Sequence, residues 1–169
     1  MPKRCTSALR APVGARRMHF IDIENLVGTG LPGESGVSAV RRAYELVVGG
    51  TTGELVTVAC NHKAAAVVGF TMGLSGAQLQ RGSGPDGADL ALLAVIRREV
   101  LMGRVSRLVI GSGDAIFARE LGDLRHMIDE LDVVARVGGI GAELYRFADR
   151  VHLIEPSGAE FAVHLEVAA

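Results

Sequence analysis

Acidic residues in this sequence stand where predicted strands end and where predicted helices begin. They fall in the segments HFIDIEN, PDGAD and GSGD, which contain Asp22, Glu24 and Asn25, then Asp86 and Asp89, then Ser112 and Asp114. A carboxylate inside an apolar strand is costly unless it is paired or bound to a metal ion. No Lys or Arg lies nearby in sequence to pair with Asp22. Asp22 is therefore predicted to bind a cation.

The three acidic segments converge at one edge of a sheet if the first and fourth strands are neighbours. Clustered carboxylates raise one another's pKa values unless a cation neutralises them. Oxygen ligands suit Mg²⁺ or Mn²⁺, and the sequence has no Cys/His cluster with the spacing of a zinc site. For Asp86 and Asp114 a second interpretation stays open, in which each caps a helix or complements the dipole of its first turn.

Short apolar runs alternate with longer helical patterns along the chain. Strands are predicted at 19–23, 54–60, 77–80, 107–110, 132–137 and 150–154, and helices at 37–47, 63–74, 86–102, 117–128 and 142–148. This alternation predicts an α/β fold in three α/β/α layers, with helices on both faces of a central parallel sheet. Ligands in such sheets bind beyond the carboxyl ends of the strands.

Composition limits the class of protein. The 169 residues are 49% hydrophobic and 22% charged, with a mean hydropathy of +0.30, which is typical of one folded domain and excludes a disordered chain. The longest apolar stretch, 64–74, is too short for a membrane helix, which needs about 20 residues. Two cysteines, Cys5 and Cys60, do not form a disulfide framework, so a cytoplasmic protein is predicted.

The charge is divided unevenly along the chain. Residues 1–17 hold five of the 18 Lys and Arg residues and no acid, which leaves 13 basic residues against 19 acidic ones in the rest. We therefore predict a disordered basic arm at 1–17, a folded domain at 18–155 and a tail at 156–169. Alternating apolar residues in the tail predict either an added edge strand or a homodimer contact. The arm would attract nucleic acid without sequence specificity.

Three motifs in this order resemble NYN domains, a branch of the PIN-like nuclease superfamily. They are FIDIENL at 20–26, GADLAL at 87–92 and VIGSGD at 109–114, and the resemblance covers residues 18–154. It implies a parallel sheet of order 3-2-1-4-5 and a metal-dependent ribonuclease that hydrolyses RNA. In that family the matching positions make Asp22, Asp89 and Asp114 the Mg²⁺ or Mn²⁺ ligands, with Asn25 orienting a ligand or water and Ser112 bonded within the acidic cluster.

The sequence departs from the family pattern at two positions. Ile116 replaces the second acid of the usual S-G-D-x-D-F motif, and Val95 stands where a further acid is common. Asp86 or Glu24 could compensate as a metal ligand. The main hypothesis is an active endoribonuclease, and the alternative is a weak or inactive relative that binds RNA or a protein partner. A phosphatase of the haloacid-dehalogenase kind is disfavoured, because its D-x-D motif is here Asp22-Ile23-Glu24.

Basic residues near the strand ends are candidates for contacts to RNA phosphates. His62 and Lys63 follow the second strand, and Arg81 follows the third. Arg81 is the strongest candidate because it lies near the acidic segment PDGAD. The alternative for all three is an ordinary solvated charge. With five Phe, two Tyr and no Trp, the chain does not favour a stacking surface for bases.

Overall fold

A computed structural model of the protein describes residues 17–73, 76–155 and 162–166. Its strands are β1 Met18–Asp22, β2 Leu55–Asn61, β3 Gln78–Gly82, β4 Arg107–Gly111, β5 Glu130–Arg136, β6 Arg150–Glu155 and β7 Ala162–Glu166. Its helices are α1 Ile23–Val27, α2 Glu34–Val48, α3 Ala65–Met72, α4 Gly87–Leu101, α5 Ile116–Leu124 and α6 Ala142–Phe147. Residues 1–16 of the predicted basic arm lie outside the described residues.

The described strands form one sheet in the order β3-β2-β1-β4-β5-β6-β7. The first six strands are parallel, and β7 runs antiparallel to β6. The predicted α/β class and the strand order 3-2-1-4-5 are confirmed, and β6 and β7 extend that order. The tail thus contributes an edge strand through its backbone, while the predicted homodimer contact stays a prediction.

Helices cover both faces of the sheet and bury β1 completely. All five residues of β1 are buried, as expected for a strand at the centre of a parallel sheet. Phe20 packs in a core with α4, α5 and α6, and Ile21 packs on the opposite face with α1, α2 and α3. Because successive side chains alternate between the faces, Asp22 follows Phe20 towards α4 and α5.

The first strand ends one residue earlier than predicted. Ile23 was expected within the strand but begins the short helix α1. The cause is Asp22, whose side chain accepts a hydrogen bond from the Asn25 backbone N–H and caps this helix. Asp22 therefore has two structural positions at once, at the end of the central strand and at the start of a helix.

A buried polar network occupies the opposite end of β1. His19 is fully buried, and its ring contacts the Tyr44 hydroxyl through Nδ1 at 2.9 Å and the Glu54 carboxylate through Nε2. Arg17, the last residue of the predicted arm, donates from Nε to the same carboxylate at 2.9 Å. Since a carboxylate only accepts, His19 carries its proton on Nε2, and neutral Nδ1 accepts from Tyr44. Arg17 therefore lies on the folded body.

The helices of the described residues are short. None of them combines the length and apolar character needed to cross a bilayer. The longest, α2 and α4, have 15 residues each.

Candidate active site

Asp22 occupies the centre of the carboxyl edge of the sheet and is only 4% exposed. Its Oδ1 accepts from the Asn25 backbone N–H at 3.2 Å, and its Oδ2 accepts from the Ser112 hydroxyl at 3.2 Å. Burial raises the pKa of the Asp22 carboxyl, and these hydrogen bonds act in the opposite direction. The result is a carboxyl group held in one orientation at the end of the central strand.

The loop after β4 is fixed against the end of β1 by two polar side chains. Asn25 accepts from the Gly113 backbone N–H through Oδ1 at 2.9 Å. The buried Ser112 hydroxyl, besides donating to Asp22, accepts from the Asp114 backbone N–H at 3.2 Å. Asn25 and Ser112 were both predicted as site residues. Their hydrogen bonds fix the loop after β4 relative to the end of β1. Ser112 contacts the acidic cluster directly, whereas the Asn25 side-chain oxygen contacts the loop.

Gly113 allows this loop to approach the next one. Its carbonyl oxygen accepts from the Gly141 backbone N–H at 2.9 Å, and a Cβ atom at position 113 would overlap the carbonyl group of Gly139. Only glycine fits without movement of one loop. Close packing therefore explains the second glycine of the GSGD motif, Gly113, independently of any ligand.

Asp89 brings the second carboxyl group to Asp22. It lies in the first turn of α4, whose start is packed against β3 through a backbone contact of Gly82 with Gly87 that leaves no room for a Cβ atom at position 82. The carboxyl groups of Asp22 and Asp89 are hydrogen-bonded to each other. The hydrogen bond lowers the pKa of Asp22 and raises that of Asp89, as expected for two carboxyl groups that share one proton.

The pKa of Asp89 is raised well above that of an ordinary aspartate. The largest cause is burial, followed by the negative charge of Asp22 and the hydrogen bond to it, and then by the charges of Asp114 and Asp86. The Oδ1 atom of Asp89 is buried and has no hydrogen-bond partner among the described residues. An unpartnered carboxylate oxygen inside a cluster of acids is the kind of atom that a cation would satisfy.

Asp114 and Asp86 lie at the rim of the pair and are exposed. Asp114 precedes α5, and its Oδ1 accepts from the Ile116 backbone N–H at 3.0 Å. Asp86 is at the N-cap position of α4 with a left-handed φ of 54°, and its side chain makes no capping hydrogen bond. The structure therefore gives Asp114 a turn-stabilising role beside the site and leaves Asp86 without a side-chain capping role.

A divalent cation needs several oxygen ligands close together. Within the described ranges, no group of three or more His, Cys, Asp or Glu side chains could hold a metal ion as placed. Mg²⁺, however, takes one or two protein carboxylates and completes its shell with water and substrate phosphates. Asp22 and Asp89, with the free Oδ1 of Asp89, fit that requirement, whereas Asp114 and Asp86 contribute charge at the rim.

A cleft of about 590 Å³ lies at the same edge of the sheet as the acidic pair, at the ends of β2 and β3. We call it the edge cleft, and it is lined by residues 29–31, 61–63 and 82–84. His62 and Lys63, both predicted to contact substrate, belong to its wall. Arg81 is exposed on β3 directly before Gly82 and lies outside the lining. The structure thus groups two of the three predicted basic residues in one cleft.

Asn61 organises this cleft and was missed by the sequence analysis. Its backbone N–H donates to Glu24 Oε1 at 2.6 Å, and its side chain donates to the Gly30 carbonyl. Its Oδ1 accepts from the backbone N–H groups of Lys63 at 2.8 Å and Ala64 at 3.0 Å. An Asn directly after a strand is a signal for such a turn. Glu24, considered above as a compensating metal ligand, is engaged here instead.

Arg136 is a second residue that the sequence analysis missed. It ends β5 at the same edge of the sheet, is exposed, and its guanidinium group lies against Gly28, the C-cap residue of α1. A side chain at position 28 would displace it. The acidic pair therefore has basic residues on both flanks, at the edge cleft and at Arg136.

Comparison with known proteins leaves the family open. No protein-family model matches this chain, and no curated protein matches its sequence. The resemblance to NYN domains therefore rests on the three motifs and stays a prediction.

Proposed function

We propose that this protein is a ribonuclease that hydrolyses RNA phosphodiester bonds with Mg²⁺ or Mn²⁺ bound by Asp22 and Asp89. The observation that carries the proposal is the contact between these two carboxyl groups, one of which has a buried oxygen without a partner. Two acids in contact are costly to the fold when ionised, because burial and like charge both oppose their ionisation. Perturbed carboxyl groups at the ligand-binding edge of a sheet are typical of functional sites.

The surrounding residues support hydrolysis at this pair. Ser112 and the Asn25 backbone keep the two Asp22 oxygens in fixed directions. The proton shared by Asp22 and Asp89 must leave before both groups can act as ligands, and Asp114 and Asp86 add negative charge that favours its replacement by a cation. When bound, the cation would polarise the scissile phosphate and lower the pKa of the attacking water.

RNA is the proposed substrate for two reasons. The three motifs resemble those of NYN ribonucleases, and His62 and Lys63 line a cleft beside the acidic pair. In the reaction, water adds to phosphorus, the bond from phosphorus to one ribose oxygen breaks, and that oxygen takes up a proton. The basic residues would bind the flanking phosphates that the acids repel.

A second candidate function is RNA binding without turnover. It is favoured by Ile116, which replaces a family acid and packs partly buried against the core between the sheet and α4 to α6. An apolar side chain in this position cannot add a ligand or activate a water. The same assay that tests hydrolysis separates the two functions.

The test is cleavage of a 5′-labelled RNA by the full chain in Mg²⁺, Mn²⁺ or excess EDTA. We expect cleavage only with a divalent cation, and a loss on the order of 100-fold or more in Asp22→Asn. Asp123→Asn is the matched control, since it removes an exposed acid on α5. Equal cleavage in EDTA or by Asp22→Asn would contradict the proposal. Tight RNA binding without cleavage in either metal would favour the second function.

A further inference from the structure

The edge cleft has the size and lining of a ligand site. Its volume of about 590 Å³ lies within the range of pockets for small molecules, about 300–1,000 Å³. Each of its three lining segments lies at the end of an element of the carboxyl edge: 29–31 comes after α1, 61–63 begins at the last residue of β2, and 82–84 begins at the last residue of β3. The lining contains the cationic Lys63 together with His62 and no acid, in contrast to the neighbouring acidic pair.

The cleft is shaped before any ligand binds. Asn61 ties two of its walls together, through its side-chain hydrogen bond to the Gly30 carbonyl and its acceptance of the Lys63 backbone N–H. Glu24 anchors the Asn61 backbone from α1. Such preorganisation reduces the entropy that binding must overcome.

Two contacts connect the cleft to the segments that carry the acids. Glu24, which holds Asn61, stands two residues after Asp22. Gly82, which lines the cleft, packs on Gly87, two residues before Asp89. A polymer bound across the acidic pair would therefore enter the cleft with its neighbouring unit.

We propose that the edge cleft binds the nucleotide adjacent to the scissile phosphate of an RNA strand. This inference rests on the proposed function and adds to it the side on which the RNA passes, over β2 and β3. Lys63 and His62 would contact the phosphate of that nucleotide. Leu31, which is 65% exposed in the cleft wall, offers an apolar surface to its base. Gly30, Ser83 and Gly84 have small side chains or none, which leaves room for a nucleotide.

A steric variant tests this without touching charge. A Cβ atom at Gly30 or at Gly33 would meet no atom within 4 Å, and neither glycine has a left-handed backbone. Both positions should therefore accept a large side chain, but only Gly30 lines the cleft. Gly30→Trp fills the cleft, and Gly33→Trp is its matched control on the same loop.

A charge variant tests the same site independently. Lys63→Ala removes the cation of the cleft wall, and Arg119→Ala removes an exposed cation on α5. Binding of a fluorescein-labelled RNA hexanucleotide is measured by anisotropy in excess EDTA, so that neither a metal nor cleavage contributes. We expect about 5-fold to 10-fold weaker binding for Gly30→Trp and for Lys63→Ala, and less than about 2-fold change for the two controls.

The outcomes separate this inference from the proposed function. If the wild type cleaves RNA but Gly30→Trp binds the hexanucleotide like Gly33→Trp, the cleft inference is overturned and the ribonuclease stands. The same holds if only Lys63→Ala weakens binding, because that is a general effect of charge. If both cleft variants lose binding while no metal supports cleavage, the cleft is an RNA-binding site and the proposed ribonuclease activity is contradicted. No measurable binding by the wild type overturns the inference.

Discussion

Asp22 at the end of the central strand and Asp89 in the first turn of α4 share a hydrogen bond between their carboxyl groups. Only a proton or a cation can hold two such groups together, since two bare carboxylates repel each other. In the absence of metal, a proton shared by the two groups holds them together. A divalent cation replaces that proton, and an uncharged side chain at either position removes one of the charges.

Asp89→Asn should stabilise the protein in metal-free buffer at neutral pH. Asparagine keeps the size of the side chain and can donate to Asp22, but it removes a carboxyl group whose ionisation is opposed by burial and by Asp22. We expect the free energy of unfolding to rise by on the order of 1 kcal/mol. Urea denaturation in EDTA measures it, with Asp123→Asn for comparison. A lower free energy of unfolding for Asp89→Asn would mean that the carboxyl group of Asp89 stabilises the fold.

Divalent cations should stabilise the wild-type protein. A ligand that binds only the folded state raises its stability by about 2.7 kcal/mol at 100 times its Kd. Thermal unfolding with increasing Mn²⁺ should therefore show a rising Tm for the wild type and an unchanged Tm for Asp22→Asn, which loses one of two ligands. NaCl at the same ionic strength controls for charge screening. An equal rise in both proteins would place the bound Mn²⁺ elsewhere.

Gly113→Ala should destabilise the fold through the loop contact with Gly139. The new Cβ atom would overlap the Gly139 carbonyl group, and one of the loops must move. Overpacking of this kind costs about 1–3 kcal/mol. Gly30→Ala, where a Cβ atom meets open space, should change stability by less than about 0.5 kcal/mol. Chemical denaturation of both variants compares them, and equal stabilities would show that the loops are not in contact.

The His19 network should make stability depend on pH below neutrality. Burial lowers the pKa of His19, and the hydrogen bond to Glu54 only partly offsets it. The unfolded chain takes up a proton near the ordinary value of 6.5, whereas folded His19 stays neutral to lower pH. The stability from neutral His19 is therefore complete above that value and falls as the pH drops below it.

The measurement compares the wild type with His19→Gln, which can still donate to Glu54 but does not titrate. Between about pH 7.5 and about pH 5.5, the wild type should lose up to about 1 kcal/mol more of its free energy of unfolding than the variant. Titration of Asp22 and Asp89 is common to both proteins and cancels in the difference. Parallel pH profiles would contradict this, because they would show that His19 takes up its proton as readily in the folded protein as in the unfolded chain.

The sheet could be predicted from the alternation of apolar runs and helical patterns, and the position of Asp22 from its place in one such run. The strand boundary could not, because Ile23 is as apolar as its neighbours and only the capping hydrogen bond of Asp22 turns the chain there. For Asp86, a helix cap was one of the two interpretations left open, and its side chain makes no capping hydrogen bond from the left-handed backbone.

The contacts within the site depend on close approaches that no local pattern reveals. The helix that carries Asp89 packs on β3 through Gly82 and Gly87, and the β4 loop packs on the loop after β5 through Gly113 and Gly139. Asn61 makes four hydrogen bonds that join three separate segments. Such long-range packing is set by the whole fold, so residue spacing identified the acids but not which two of them touch.

The location of Mn²⁺ in crystals of the full chain, determined by anomalous scattering, tests the proposed metal site. We expect one ion at about 2.1 Å from a carboxylate oxygen of Asp22 and from the Oδ1 atom of Asp89, and no ion there in Asp22→Asn crystals grown and soaked in the same way. An Asp22–Asp89 pair that stays hydrogen-bonded at saturating Mn²⁺, with no ion between the two groups, would contradict it.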